Sequence, residues 1–295
     1  MTPASPAGPG LGILGPMAKP VPGTLSLFSD LIHADPGTPF KLSAVNPADK
    51  RLGSGDKEED KRRVEQLAVQ LDELQNLFYA DKRFAMLVVL QGTDTSGKDG
   101  TLRGVFGRMS PLGVHAVAWK APNADERAHE PLWRIHRALP AKGEIVVFNR
   151  SHYEDVLVPV VGKTISARET QQRYARINDF ERALTETGTV ICKFMLHISK
   201  DEQRERLQAR LDDPAKRWKF DPADLVARQQ WAAYQRAYAA AISATGTPWA
   251  PWMVVPSDSK TQRNLVIATV LEARLRALGL RFPPAPPELA GLKVV

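Results

Sequence analysis

The sequence predicts an α/β fold of three layers, in which a mostly parallel β-sheet is covered by helices on both faces. Short runs rich in Val and Ile alternate along the chain with segments whose apolar residues recur every three or four positions. Such an alternation is typical of buried parallel strands connected by amphipathic helices. A glycine-rich loop also stands between one of these runs and the helical pattern that follows it, which is the arrangement of a phosphate-binding loop.

The composition is that of a globular protein with one or two domains. Of 295 residues, 43% are hydrophobic and 25% are charged. The net charge of +7, from 40 basic and 33 acidic residues, fits either a polyanionic partner or a slightly basic solvated surface. No apolar run approaches the ~20 residues of a transmembrane helix, and the N-terminus lacks a secretory pattern, so we expect no membrane partner.

The single cysteine, Cys192, lies in the apolar run 190–194, and we expect its thiol to be buried and inert. One cysteine excludes a disulfide framework and a cysteine-based metal site. This usage fits a reducing compartment and predicts a cytoplasmic protein.

The first part of the chain leads from an unpatterned segment into a helix. Residues 1–24 are rich in Pro, Gly and Ala, and we expect a disordered tail there. A helix is predicted over 60–79, where Val64, Leu71 and Phe78 are among the apolar residues at three- and four-residue spacing.

Alternating units follow, up to residue 282. The predicted strands are 85–91, 114–119, 144–149, 189–197 and 252–256. The predicted helices are 97–109, 126–138, 168–187, 200–211, 222–243 and 260–278. Residues 25–282 therefore form one expected domain, and residues 283–295 an extended C-terminal tail. In parallel sheets of this kind ligands bind at the carboxyl ends of the strands.

The most informative segment is the loop Gly92-x-x-x-x-Gly97-Lys98, between the predicted strand 85–91 and a predicted helix. Its N–H groups and the positive end of the helix would face an anion, and Lys98 would neutralise charge on a transferred phosphoryl group. Asp94 and Asp99 are acids beside a polyanion, so we expect them to bind Mg²⁺, with Mn²⁺ as an alternative. Asp99 has a second interpretation, as an acid that stabilises the first turn of a helix.

A dense polar cluster, residues 149–155, ends the predicted strand 144–149. Asn149 is the first candidate for a second magnesium-ordering group, and Arg150 would face the phosphates at the sheet edge. His152 is either a general base or a hydrogen-bonded structural residue. A further candidate segment lies earlier in the chain, after the predicted strand 114–119. There Arg127 and Arg134 would bind the phosphates of the acceptor.

A Pro-interrupted basic segment, about 205–222, separates two predicted helices and groups its cations around Trp218. Downstream of a phosphate loop, such a segment is typical of a lid that closes over phosphates and excludes water. A solvated helix hairpin is the alternative.

Together these pieces resemble the polyphosphate kinase 2 family, and most closely its third class. The matching segments are Gln91-Gly-Thr-Asp-Thr-Ser-Gly-Lys-Asp-Gly-Thr101, His129-Glu-Pro-Leu-Trp-Arg134, Phe148-Asn-Arg-Ser-His-Tyr-Glu-Asp-Val-Leu157 and Lys216-Arg-Trp-Lys219. The likeness runs from about residue 25 to about residue 282. It implies a thymidylate-kinase-like P-loop kinase fold and Mg²⁺-dependent phosphate transfer between inorganic polyphosphate and AMP or ADP, with guanine nucleotides as further candidates. It also implies a homo-oligomer, either a dimer or a tetramer.

The resemblance and the motifs together assign roles to individual residues. The predicted catalytic residues are Asp94, Lys98 and Arg150. The residues expected to bind phosphate or polyphosphate are Gly92, Thr95, Ser96, Gly97, Lys98, Asp99, Gly100, Thr101, Arg103, Arg210, Lys216, Arg217 and Lys219. Those expected at the nucleotide acceptor are Lys120, Arg127, Arg134, Asn149, Arg150 and Glu154. Candidate metal ligands are Asp94, Asp99 and Asn149.

Three other functions stay open at this point. An ATP-dependent nucleoside monophosphate kinase would use the same loop with another donor. A nucleic-acid-binding module could use the basic segment, but the interleaved aromatic residues of a stacking platform are missing, so we expect no specific nucleic-acid partner. A non-catalytic relative would tolerate Lys98→Ala and Asp94→Asn without consequence.

Overall fold

The computed structural model of the protein describes residues 29–294. The tail expected over 1–24 and the first residues of the expected domain lie outside this range. Six strands form one sheet: β1 Ile32–His33, β2 Ala85–Gln91, β3 Val114–Ala118, β4 Ile145–Asn149, β5 Thr189–His197 and β6 Trp252–Pro256. Their spatial order is β1-β6-β5-β2-β4-β3, and only β1 is antiparallel to its neighbour. The five predicted strands are confirmed, whereas the two-residue β1 is too short for a sequence pattern.

Ten α-helices accompany this sheet in the described residues. They are α1 Lys57–Asp81, α2 Lys98–Thr101, α3 Ala124–Ala128, α4 Trp133–His136, α5 Glu154–Val161, α6 Ala167–Glu186, α7 Lys200–Asp212, α8 Pro222–Gln229, α9 Trp231–Thr245 and α10 Lys260–Ala277. A π-helical turn, Leu102–Phe106, continues α2, and short 3₁₀ turns occupy Leu42–Ala44, Arg217–Lys219 and Pro287–Leu289.

The core lies where the helices press on the central strands. All seven residues of β2 are buried, as expected for a strand with paired neighbours and helices on both sides. Helices α1 and α10 pack on each other, and α5, α6 and α9 form a second packed group. The predicted three-layer α/β fold is confirmed. Among the described helices, none combines the length and the apolar character needed to cross a bilayer.

The single helix predicted over 126–138 is wrong. The structure has two short helices instead, α3 and α4, with Pro131 between them. Proline lacks the N–H that would continue the helix, and its ring disfavours helical backbone at the preceding residue, Glu130. Asn123 caps α3 reciprocally with Glu126, which fixes the start of that helix instead.

The prediction over 222–243 is also wrong in one respect, because the helix breaks at Gln230 into α8 and α9. Helix α5 was not predicted, since it contains Pro159. Proline removes the hydrogen bond that would end on the carbonyl of Asp155, and that carbonyl accepts a bond from Arg173 instead. A side chain from another helix thus replaces the hydrogen bond that the proline cannot make.

A buried polar network ties β5 to the helices on one side of the sheet. Lys193 donates to Glu181 Oε2 at 2.6 Å, to the Tyr153 hydroxyl at 2.9 Å and to the Thr245 carbonyl at 2.8 Å. His152 lies 3.3 Å from Glu181 Oε1, also buried, so the structural interpretation of this histidine is confirmed. All of these contacts are made inside the core and away from solvent.

We expect Lys193→Met to lower the free energy of unfolding by about 3–5 kcal/mol, because it leaves the Glu181 carboxylate buried without its cation. Chemical denaturation measures this change. The exposed Lys200→Met is the matched control and should cost less than about 0.5 kcal/mol. Equal losses in the two variants would contradict the importance of the buried pair.

Candidate active site

An open cavity of about 940 Å³ lies at the edge of the sheet where the parallel strands end. The phosphate loop follows β2, residues 119–120 follow β3, and residues 149–150 lie at the end of β4. Helix α7, the basic segment 205–222 and the start of α10 complete the wall. Because parallel strands end at the same edge, five separate segments of the chain meet at this place.

The glycines of the loop are required by its geometry. Gly92 and Gly97 have φ values of 150° and 108°, a region that L-residues with side chains rarely adopt. A Cβ at Gly97 would lie 1.8 Å from Nη1 of Arg263, and one at Gly92 would lie 2.7 Å from the Leu196 carbonyl. Thr95 also has a positive φ, 64°. The loop therefore curls tightly against the neighbouring backbone and Arg263.

Lys98 is buried within the loop that precedes it. Its Nζ donates to the carbonyls of Gly92 at 2.7 Å and Thr93 at 3.1 Å. Burial above all, and then the charge of Arg150, lower the pKa of Lys98 to about 8. A phosphate oxygen at this position would supply the negative charge that the buried ammonium group otherwise lacks.

Three hydroxyl groups of the same segment have no hydrogen-bond partner among residues 29–294. They belong to Thr95, Ser96 and Thr101, all of which are buried. Buried polar atoms are nearly always paired in native proteins, so these three hydroxyl groups are available to a bound group. A phosphate group or the water shell of a metal ion would satisfy them, which supports the predicted phosphate-binding role of this segment.

Arg150 lies between two acids at the end of β4. It donates to Asp94 and, at 3.2 Å, to Glu154 Oε2. Burial lowers the pKa of Arg150, but the two carboxylates outweigh burial and raise it above the ordinary value. The structure thus joins the predicted catalytic residues Asp94 and Arg150 in one ion-paired group beside Lys98.

Two of the three candidate metal ligands, Asn149 and Asp99, form a hydrogen-bonded pair. Asn149 Nδ2 donates to Asp99 Oδ1 at 2.8 Å, and both residues line the cavity with Asp94. Among residues 29–294, no three His, Cys, Asp or Glu side chains form a group that would hold a metal alone. Magnesium typically takes one or two carboxylates and completes its shell with water and substrate phosphates. The acids beside the unpaired loop hydroxyls fit an ion of that kind.

The basic segment contributes three of its four predicted cations to the cavity. Arg210, Lys216 and Lys219 line it, together with the largely exposed Trp218. Arg217 does not, because its Nε donates to the Leu211 carbonyl at 2.7 Å. Arg210 also contacts Asp224 Oδ2 at 3.4 Å and the Lys219 carbonyl at 3.3 Å, which ties the segment to α8.

The residues predicted at the acceptor separate into two groups. Lys120, Asn149 and Arg150 line the cavity, and Glu154 lines a smaller adjoining pocket with Tyr234 and Tyr238. The structure does not bring Arg127 and Arg134 to either place. The side chain of Arg127 donates to the carbonyl of Pro122, next to its own short helix.

Arg134 is 7% exposed and is engaged by the protein itself. It donates to the Lys120 carbonyl at 2.9 Å, forms an ion pair with Asp155 at 3.2 Å and lies over the Trp119 ring. In this position it orients the backbone that presents Lys120. Trp133 stacks on His129 at 4.0 Å, half-buried and also outside the cavity.

Sequence reasoning missed several residues of this cavity. Arg206 lies in the basic run that the sequence displays, but its contacts with the loop carbonyls were not expected. Lys260 and Arg263 come just after the carboxyl end of β6 and line the same cavity. The rule that ligands bind at strand ends would have found these two, because β6 was correctly predicted.

Comparisons with known proteins agree with this geometry. The sequence pattern of the family described as polyphosphate kinase 2 matches residues 54–279. The AMP/ADP-polyphosphate phosphotransferase of Meiothermus ruber is 45% identical over 263 residues, covering 89% of this chain and 98% of that protein. An ADP-polyphosphate phosphotransferase of Rhodopseudomonas palustris is 40% identical over 74% of this chain and 80% of that protein.

Among solved structures, the polyphosphate kinase 2 of Arthrobacter aurescens TC1 superposes with a TM-score of 0.82. It is 42% identical, and the match covers 88% of this chain and 91% of that one.

Proposed function

This chain belongs to the polyphosphate kinase 2 family, and on that premise we propose that it transfers the terminal phosphate of inorganic polyphosphate to AMP, ADP or both, reversibly and with Mg²⁺. Relatives that match most of the chain are named for this transfer. The buried loop lysine, the unpaired hydroxyls and the ion-paired Arg150 support phosphate chemistry at the carboxyl edge of the sheet.

The choice of polyphosphate as the phosphate donor rests on the charge of the cavity. Ten cations line it, against six acids. The cations are Lys98, Arg103, Lys120, Arg150, Arg206, Arg210, Lys216, Lys219, Lys260 and Arg263. A nucleoside triphosphate has only three phosphates to offer these groups, whereas a polyphosphate chain carries about one charge per phosphate. A wide cationic surface of this kind attracts long polyanions with strong salt dependence.

Catalysis would come from positioning and charge neutralisation. Lys98 binds the transferred phosphoryl group and its bridging oxygen, and Arg150 faces the same group from β4. Magnesium, held by Asp94 and Asp99 with Asn149 nearby, would neutralise part of the charge that develops on the phosphates. The accepting phosphate oxygen is already anionic at pH 7, so no strong general base is required. The position of His152 inside the core agrees with this mechanism.

The acceptor nucleotide is proposed to lie between the cavity and the smaller pocket at Glu154. That pocket shares Asp94 and Arg150 with the cavity and adds the aromatic side chains of Trp231 and Tyr234. Aromatic rings beside ion-paired side chains suit a molecule with a flat base and a charged tail. Adenine nucleotides are the primary acceptors in this proposal, and guanine nucleotides the second candidates.

The test is an assay of AMP and of ADP with polyphosphate in the absence of ATP, with and without Mg²⁺. We expect ADP and then ATP to form, and formation to stop when EDTA removes the metal. Product formation from ATP and AMP, with none from polyphosphate, would instead establish the ATP-dependent nucleoside monophosphate kinase. Tight oligonucleotide binding that survives Lys98→Ala would favour the nucleic-acid-binding module.

We further propose a homo-oligomer, either a dimer or a tetramer, that works in the cytoplasm. Family likeness supports the assembly, and the buried thiol of Cys192 fits a reducing compartment. Light scattering should give a particle of two or four times the 32.6 kDa of one chain. A particle of one chain mass at micromolar concentration would contradict the assembly.

A further inference from the structure

Two arginines lie behind the phosphate loop, the half-buried Arg206 and the buried Arg263, and their surroundings differ. Arg206 comes from α7 and Arg263 from the first turn of α10. Both approach the loop carbonyls, and both line the cavity. They differ in how many of their hydrogen-bond donors, and how much of their charge, the protein itself satisfies.

Arg206 is saturated by the protein. Its Nη1 donates to the carbonyls of Thr95 and Ser96, at 2.9 and 3.2 Å, and its Nη2 to those of Ser257 and Asp258, at 2.7 and 2.9 Å. Its Nε donates to Glu202 Oε1 at 2.7 Å, so a carboxylate balances its charge. All five N–H donors of the guanidinium are occupied. This arginine connects the loop to α7 and to the end of β6.

Arg263 is buried without such compensation. It is 2% exposed, and none of the ion pairs among residues 29–294 includes it. Its contacts are two bonds to Asn264 Oδ1, at 3.0 and 3.2 Å, and one long bond of 3.4 Å to the Ser96 carbonyl. A guanidinium has five N–H donors, so two of them have no partner among residues 29–294.

The guanidinium lies directly against the backbone of the phosphate loop. A Cβ built on Gly97 would be 1.8 Å from its Nη1, and one on Gly100 would be 2.9 Å from its Nη2. These two glycines stand on either side of Lys98 and Asp99 in the sequence and line the cavity with them. Burial above all, and the nearby charge of Arg206, lower the pKa of Arg263 to about 9, so the group stays charged at pH 7. A buried charge without a counter-ion is costly to the folded protein.

We propose that Arg263 is a donor-binding residue, a cation held behind Gly97 and Gly100 whose missing counter-charge is supplied by polyphosphate. Without a ligand, the unpaired charge of Arg263 would lower the stability of the folded protein. A bound anion would pair with that charge and restore the stability. The inference rests on the proposed function, because it names polyphosphate as the anion. In this proposal Arg263 contributes to the binding of polyphosphate and takes no part in the transfer step.

The experiment compares Arg263→Met with Arg206→Met and with Arg276→Met, an exposed arginine later in the same helix. Thermal unfolding is recorded with and without polyphosphate, and KM is measured for polyphosphate and for AMP. For Arg263→Met we expect an equal or higher Tm without ligand, and a loss of most of the stabilisation by polyphosphate. KM for polyphosphate should rise by on the order of tenfold to a hundredfold. KM for AMP should change less than about threefold.

Two further measurements separate charge from packing. The slope of log KM for polyphosphate against log salt should fall by about one in Arg263→Met, because one cation fewer meets the polyanion. Arg263→Lys keeps the charge and should recover part of the affinity. Arg206→Met should lower the ligand-free Tm, since it removes five hydrogen bonds to the protein, and Arg276→Met should change neither property.

A lower ligand-free Tm in Arg263→Met, with an unchanged KM for polyphosphate, would overturn the inference and leave Arg263 a structural residue. Failure of the proposed function is a separate result. If the wild type transferred no phosphate but was stabilised by polyphosphate, and Arg263→Met lost that stabilisation, the donor-binding role would stand without the transfer. A wild type that polyphosphate does not stabilise at all would overturn both.

Discussion

Replacing Lys98 by alanine is expected to lower kcat/KM for phosphate transfer by about a thousandfold or more, which is the scale of losing a preorganised cation at a transferred phosphoryl group. The Lys98 ammonium group is the cation at the centre of the loop, and its bonds to the Gly92 and Thr93 carbonyls place it over the site that phosphate would occupy. Steady-state rates with AMP and polyphosphate measure the loss.

The same variant should remain folded. Only two hydrogen bonds to carbonyls disappear with Lys98, so we expect the free energy of unfolding to fall by no more than about 2 kcal/mol. The exposed Lys57→Ala serves as the control and should keep full activity. A Lys98→Ala protein with wild-type rates would show that the loop is not the catalytic site, and would support a non-catalytic relative.

Replacing Gly97 by alanine is the second change with a large expected effect. At φ 108° an alanine is strained, and its Cβ would lie 1.8 Å from Nη1 of Arg263, a distance that no real contact shows. We expect a loss of about 1 kcal/mol from the backbone and a further 1–3 kcal/mol from overpacking, because the guanidinium of Arg263 is buried and has little room to move aside. Because the loop or the arginine must move, activity should fall to below about 1% of the wild type.

Gly55→Ala is a close control for this variant. Gly55 has a similar φ of 93°, but nothing lies within 4 Å of a Cβ built there. It should therefore show the backbone cost of about 1 kcal/mol alone, with unchanged rates. Denaturant unfolding and steady-state kinetics on both variants separate strain from collision. Equal behaviour of the two would mean that the approach of Arg263 to the loop has no consequence.

Much of the fold follows from local patterns. The five main strands and the long helices at 57–81, 167–186 and 260–277 lie where the periodicity of apolar residues predicts them. Two of the errors occur at prolines. Pro131 divides one predicted helix into α3 and α4. Pro159 argues against helix α5, which forms nevertheless because Arg173 donates to the carbonyl of Asp155. The break at Gln230 has no cause that its own side chain explains.

The candidate site shows the same division. The loop from Gly92 to Lys98 can be predicted from the sequence, because glycine at positive φ and lysine at the start of a helix are local requirements. The partners Asn149 and Arg150 can be predicted too, since they end a predicted strand. By contrast, the sequence assigned Arg127, Arg134 and Arg217 to ligands, whereas their donors contact protein carbonyls in the structure.

The sequence by itself therefore predicted a phosphate-binding loop after the strand 85–91, and it identified the family to which the chain belongs. Only the tertiary structure decided which other cations reach the loop. Arg206 and Arg263 are more than a hundred residues away from it in sequence, and they meet it because β5 lies next to β2 in the sheet and β6 lies next to β5. Strand order follows from how whole layers pack, and no short stretch of sequence encodes it. Charge is visible in a sequence, but whether a charge is neutralised or left for a ligand depends on neighbours that folding brings together.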